Sequence, residues 1–238
     1  MSVFVYSPNL FFKYPNTVGG VIIAHGLQNG ETPPPLRTAY EAEQQATLNR
    51  LGNRPLSEIE SLAAWRRVFS SFGVDPTQYR SAAEALLRRL TKQGNIPSIN
   101  TLVDLGNMVS IRYGLPVAIM DSAQVVGPLT VRFADGTERF TTLGQNVIEH
   151  PDVGEVIFAD AEGLVYARRW CWRQSAQSAA QPTTTQAIIT VEAHHSTGRE
   201  SVQAALNDLL DLLRTYSGAV TLTSAILDKN TPMITDKE

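Results

Sequence analysis

Cysteine is nearly absent. Cys171 is the only one in 238 residues, which excludes an intrachain disulfide and a zinc site built on thiolates. That usage is compatible with a reducing compartment, and a cytoplasmic location is the expectation. No apolar run approaches the roughly 20 residues that cross a bilayer. Met1 to Pro15 shows no basic segment leading into an apolar one, so neither a membrane partner nor a secretory signal is expected. Charge is modest at 18% beside an apolar share of 43%, a balance that excludes disorder, collagen and coiled coil. The net charge of −3 argues against a basic coat for DNA. Familiar catalytic signatures are missing: no phosphate-binding loop, no G-x-G-x-x-G, no H-E-x-x-H and no G-x-S-x-G. His194-His195 is the only histidine pair. Neighbours on a strand point to opposite faces, so the two are expected as exposed polar residues at a strand end. No metal and no other cofactor is expected. Cys171 lies between Trp170 and Trp172 and reads as a small buried hydrophobe, not a nucleophile.

What is present divides into an early helical part and a late strand part. Strong helix formers run from Leu36 to Leu51, and Gly52 stands where a helix would stop. Leu62, Trp65, Phe69 and Phe72 make one apolar stripe after a possible cap at Ser57. Ser81-x-x-Glu84 reads as a capping box ahead of Leu86, Leu87 and Leu90, with Gly94 and Pro97 at the far end. A further helix is expected from about Ile99 to Tyr113. It would carry Asn100, Asp104 and Asn107 along one side. After Pro116 the period becomes two. Leu129, Val131 and Phe133 alternate ahead of Asp135-Gly136, a hairpin signal that would set Val131 opposite Phe140. Val156–Ala159 and Leu164–Arg168 read as a second hairpin. Ala187–Val191 reads as a strand, Val202 to Leu213 as an amphipathic helix, and Ala219–Leu227 as a last strand. Residues 1–227 are expected as a single domain and 228–238 as a flexible tail. Helices first and strands later favour an α+β architecture over a doubly wound one.

Two features suggest binding. Between Arg50 and Arg112 there are nine Lys/Arg against five Asp/Glu, so a locally positive face is possible on an acidic chain. Arg88 and Arg89 are its candidates for phosphate contact; solvated helix surface is the plain alternative. The second feature is the run Arg168-Arg169-Trp170-Cys171-Trp172-Arg173-Gln174-Ser175. If extended, it turns Trp170, Trp172 and Gln174 to one side and Arg169, Cys171 and Arg173 to the other. One face would then offer aromatic surface with a neutral amide, the other cations for carboxylate or phosphate. A core Trp pair under arginine cover fits the spacing equally well.

The run Tyr79-Arg80-Ser81-Ala82-Ala83-Glu84-Ala85-Leu86-Leu87-Arg88-Arg89, followed by Ile96-Pro97-Ser98-Ile99-Asn100-Thr101-Leu102-Val103-Asp104-Leu105-Gly106-Asn107, resembles the B3/B4 domain of the bacterial phenylalanyl-tRNA synthetase beta chain. It is similar above all to standalone proteins built from that domain, which also carry the R-W-x-W-R-Q-S pattern found here at Arg169–Ser175. The resemblance covers about residues 20–193, with a C-terminal helix and strand over 200–227. It implies a three-layer α+β fold with a mixed β-sandwich and flanking helices. In the synthetase the domain is the editing module, which hydrolyses tyrosine wrongly esterified to tRNA(Phe). Water and the terminal ribose hydroxyl do the chemistry there, by positioning.

At two family positions this chain departs from that pattern. The histidine of a Q-P-x-H-A-F-D stretch is Ala118 here, within Leu115 to Asp121, and the glutamate of a G-G-E is Gln174. A neutral amide both donates and accepts, so a ligand other than tyrosine is expected.

The resemblance therefore implies a standalone editing-type protein. It would bind tRNA or an aminoacyl-tRNA and hydrolyse a mischarged ester, without being a full synthetase. The alternatives are a non-catalytic binding protein for an amino acid or similar small molecule, and an interaction module that keeps only the fold. The expected ligand-binding residues are Asn100, Asp104, Asn107, Trp170, Trp172 and Gln174. Those for RNA are Arg88, Arg89, Arg169 and Arg173. No catalytic residue is assigned.

Overall fold

The computed structural model describes residues 1–236. Its order along the chain is β1 (Val3–Tyr6), α1 (Pro8–Lys13), β2 (Val18–His25), α2 (Pro34–Leu51), α3 (Glu60–Ser71), α4 (Ala82–Gln93) and α5 (Thr101–Tyr113), then β3 (Val117–Asp121), β4 (Pro128–Phe133), β5 (Phe140–Thr141), β6 (Ile148–Glu149), β7 (Val156–Ala159), β8 (Val165–Arg168), β9 (Arg173–Gln174), β10 (Gln186–Ala193), α6 (Gly198–Tyr216), β11 (Thr221–Leu227) and β12 (Met233–Thr235).

Three layers follow from how β2 and β10 are written. Both are buried on both faces over nearly their whole length, β10 even at Thr190 and Glu192, which suits central strands. They pair antiparallel within a four-stranded sheet of order β11-β2-β10-β3. Alternation then assigns the faces. Ile22, Ala24, Ile189 and Val191 point to a helical layer of α2, α4, α5 and α6. Val21, Ile23 and Ile188 point the other way, to a six-stranded sheet of order β12-β1-β4-β7-β8-β9. In that second sheet β1 and β4 run parallel and the other pairs antiparallel. The expected α+β fold with a mixed β-sandwich and flanking helices is what forms. The apolar stripe of α3 supplies Trp65 and Phe69 to the space between the sheets.

Four local expectations are corrected. Val131 pairs with Phe158 of β7, not with Phe140. The Glu138 carboxylate accepts the N–H groups of Asp135 and Gly136 and pairs with Arg132, which turns the chain out of the sheet, and Phe140 begins a separate β5–β6 ribbon. Ser57 is not a helix cap; a 3-10 turn at Leu56–Glu58 precedes α3, which starts after Ile59 without a side-chain cap. Ser81 does cap α4, accepting from the Glu84 N–H at 3.3 Å, but the Glu84 carboxylate turns to Arg66 (2.7 Å) instead of completing the box. The loose tail expected after Leu227 is ordered as far as Asp236: β12 pairs with β1, and Asp236 accepts from the Ser2 N–H and bonds His25. Lys237 and Glu238 lie outside the described residues.

Candidate functional site

The Arg168–Ser175 segment is not extended. β8 and β9 form a hairpin whose turn, residues 169–172, places Arg169 and Trp170 at φ 44° and 60°. Non-glycine residues rarely adopt that left-handed conformation, so surrounding contacts must enforce it. The buried Glu155 does so. Its carboxylate accepts from Arg168 Nε (3.0 Å) and Nη2 (2.9 Å) and from the Arg169 N–H (2.7 Å). The Trp170 N–H is held by the Val156 carbonyl. The two tryptophans therefore part, and a shared Trp face does not form.

Trp170 goes inward, fully buried, and donates from Nε1 to Glu192 Oε1 at 3.0 Å. The Tyr6 hydroxyl donates to the same oxygen at 2.7 Å. Burial pushes the Glu192 carboxyl up to about 7, against the pull of those two donors. Gly19 makes room for the Tyr6 ring, since a Cβ there would lie 2.1 Å from the hydroxyl oxygen. His194, just past the end of β10 and on the same side as Glu192, is buried rather than exposed as expected. Its ring meets Trp65 at 4.4 Å and Trp170 at 4.7 Å, both edge-on. Burial lowers its pKa to about 3 and keeps it neutral. Burial also pushes the Cys171 thiol up, so it is not a thiolate at neutral pH.

Trp172 goes outward. The Arg169 guanidinium stands 4.0 Å from the Tyr79 ring centre and 4.6 Å from that of Trp172, and the Arg173 guanidinium 4.4 Å from Trp172. Tyr79 meets Trp172 edge-on at 5.0 Å. Arg169 also has Asp152 at 3.8 Å and Glu155 at 3.9 Å. Arg173 is exposed, with no carboxylate within 4 Å among the described residues. The Ala82 N–H donates to the Cys171 carbonyl at 2.8 Å, joining this cluster to the start of α4. Further along that helix Arg88 and Arg89 are exposed.

The remaining residues of the expected pocket do different work. Asn100 is not on the helix face. It is the cap of α5, accepting from the Val103 N–H at 3.0 Å and donating to the Ala180 carbonyl at 3.1 Å. Asp104 is fully buried and accepts from Thr32, Ser98 and the Ile99 N–H, tying two loops to α5. Asn107 is half-buried beside Tyr40. Gln174 Nε2 donates to the Ile119 carbonyl at 3.0 Å. Asn100 and Gln174 thus both reach the strip where Met120 bridges to Ala179, whereas Asp104 and Asn107 lie on the helical side and Trp170 between the sheets. Ala118 faces the inter-sheet space opposite Thr190. Spacing could not have signalled Tyr79 or Glu192, which meet the Trp turn only through the fold.

The B3/4 domain family model matches residues 64–218, well over half the chain. The chain belongs to the B3/4 domain family. Among curated relatives it is similar to the phenylalanine–tRNA ligase beta subunit of Shewanella oneidensis, with 30% identity over 88 residues, 37% of this chain and 11% of that one. It is also similar to that subunit from Aster yellows witches'-broom phytoplasma, with 32% identity over 111 residues, 43% of this chain and 12% of that one. This B3/4 chain therefore spans only about a ninth of the length of those relatives. A solved N-terminal fragment of the phenylalanyl-tRNA synthetase beta subunit from Pyrococcus horikoshii shares the fold. The TM-score is 0.50 at 12% identity, covering 94% of this chain and 54% of that one. No helix among the described residues is long and apolar enough to cross a membrane.

Proposed function

We propose that this B3/4 protein binds the aminoacylated 3′ end of a tRNA and hydrolyses the ester of a mischarged one. The observation that carries the reading is the Tyr79–Arg169–Trp172–Arg173 cluster, whose Arg173 adjoins Gln174. Stacked aromatic and guanidinium groups take unpaired bases without sequence preference, and an unpaired arginine takes phosphate. Arg173 is the exposed member, and Arg88 and Arg89 extend the positive surface along α4. By the family resemblance Gln174 takes the place of the glutamate and Ala118 that of the histidine, so neither position would supply an ionisable group. Hydrolysis then rests on positioning. Water attacks the ester carbonyl, the bond to the ribose oxygen breaks, that oxygen takes one of the water's protons, and the amino acid leaves as its carboxylate with the other proton released to solvent. A panel of mischarged tRNAs tests this: at least one should lose its amino acid faster than in buffer, and no acceleration with any of them counts against the editing reading. The neutral pair Ala118 and Gln174 favours, as a second reading, binding of a free amino acid without hydrolysis. Thermal stabilisation by free amino acids with every ester intact would select it.

A further inference from the structure

We infer that a second ligand site, for a small oxyanion, lies between α1 and α3, apart from the Gln174 region. A cavity of about 230 Å³ opens there, lined by Lys13, Tyr14, Pro15 and Asn16 at the end of α1, by Ala64, Arg67 and Val68 of α3, and by His194. Two cations stand at the cavity. Lys13 Nζ lies over the Tyr14 and Phe133 rings, 5.6 and 5.3 Å from their centres, and Arg67 is exposed on α3. Among the described residues neither has a carboxylate within 4 Å, and no acidic residue lines the cavity. Glu60, two turns before Arg67, feels the arginine charge but accepts from Ser196 Oγ at 2.8 Å.

The wall beneath is preorganised. His194 Nδ1 lies 3.4 Å from Thr17 Oγ1, whose hydroxyl donates to the Tyr14 carbonyl at 2.8 Å. Trp65 and Trp170 fix the imidazole ring edge-on. Two cations beside a fixed neutral wall suit an oxyanion, because the guanidinium fork and the ammonium pair with carboxylate or phosphoryl oxygens. Ala64, Val68 and Pro15 accept a short apolar body. The volume is below the range of about 300–1,000 Å³ that houses drug-sized ligands, which suits a small carboxylic acid or phosphomonoester. Position separates this site from the editing reading. His194, the residue after β10, lies four residues along the chain from Thr190, the partner of Ala118, or about 13 Å at the usual strand rise.

The test uses the full chain with acetate and with inorganic phosphate, each against sodium chloride at matched ionic strength. Readouts are melting temperature and tryptophan fluorescence, since Trp65 and Trp170 pack on His194. At least one anion should give a saturable response, with Kd raised tenfold or more in the Lys13→Ala/Arg67→Ala variant and unchanged in Arg173→Ala. An acetate response supports the site as a carboxylate site, and a phosphate response as a phosphoryl site. Absence of a saturable response beyond chloride overturns it, as does an equal response in the double variant. A response to tRNA alone overturns it too, because the cavity would then serve the RNA backbone. Because Arg173→Ala strikes the proposed RNA surface and not this cavity, the two readings can fail separately.

Discussion

Trp170 and Glu192 meet across 3.0 Å inside the sandwich, the indole N–H on one carboxylate oxygen. The bond links the strained β8–β9 turn to β10, and Glu192 Oε1 is shared with Tyr6. His194, just past the end of β10, lies on the same side as Glu192, and the two buried groups respond to pH in opposite senses. Glu192 is raised to about 7 from an ordinary value of 4.5. Its contribution is fully present below pH 4.5 and is lost as pH rises to 7. His194 is lowered to about 3 from 6.5. Its contribution is present above pH 6.5 and is lost as pH falls to 3. Between pH 4.5 and 6.5 the two slopes offset each other.

Glu192→Gln should expose that cancellation. The amide oxygen still accepts from Tyr6 and Trp170, but the titration is gone. The stability of the variant relative to the parent should rise with pH by about 3 kcal/mol in total between pH 4.5 and 7, at about 1.4 kcal/mol per unit. Urea denaturation of both proteins across that range measures it, and a difference independent of pH would show that Glu192 titrates normally.

Gly19→Ala should damage the same seam from within the sheet of Glu192, because Gly19 of β2 is the register partner of Glu192. The added methyl would overlap the Tyr6 ring and hydroxyl, forcing Tyr6 away and leaving Glu192 with one donor. Overpacking and a lost buried hydrogen bond together cost about 2–5 kcal/mol. Tyr6→Phe, which removes only the hydroxyl, should cost less. Equal losses in the two variants would mean that the close approach carries no penalty of its own.

Ser81→Ala should cost about 0.5–2 kcal/mol, the usual worth of a helix cap, and leave ligand specificity unaltered. The cap is half of the expected box, because Glu84 binds Arg66 instead. Removing that buried carboxylate by Glu84→Ala strands Arg66, and it should cost more than the cap does. Thermal melts of both variants rank the two effects.

How much of this was legible in the sequence follows the range of the interactions. Helices α2, α4, α5 and α6, the β7–β8 hairpin and the Ser81 cap are set by contacts within a few residues, and periodicity with capping chemistry finds them. The partner of Val131 depends on Glu138 folding the turn back, a side-chain choice that alternation cannot see. The Trp170–Trp172 run looked like one face because a strand was assumed. Glu155, more than ten residues away, bends it into the left-handed region. Asp104 and Asn107 shared a helix side with Asn100 on paper, but Asn100 became the cap and Asp104 the anchor of two loops. The polar groups that look most like ligand anchors are those that a fold also needs at its loop junctions.

For RNA, Arg88→Glu/Arg89→Glu should abolish retardation of tRNA at low salt, and Arg173→Glu should weaken it. A few phosphate contacts dominate such affinities and make them fall steeply with salt. None of the three arginines has a carboxylate partner within 4 Å among the described residues, so the variants should melt close to the parent. A parent protein that fails to retard tRNA even at low salt removes the RNA half of the proposed function.

Gln174 and Asp104 separate a ligand anchor from a structural tie. Gln174 makes one hydrogen bond, to the Ile119 carbonyl, from a half-buried position. Gln174→Ala should therefore cost only about 1 kcal/mol in stability. If the amide reads a ligand, the variant loses ester hydrolysis or amino-acid binding while its melting temperature barely moves. Asp104 accepts from three donors at zero exposure. Asp104→Ala leaves those donors without a partner and should cost about 3–5 kcal/mol, with function per folded molecule retained. Paired melting and activity curves for the two variants give the answer. A large melting shift in Gln174→Ala with full activity would make that residue a stitch between β9 and β3, like Asp104 between its loops.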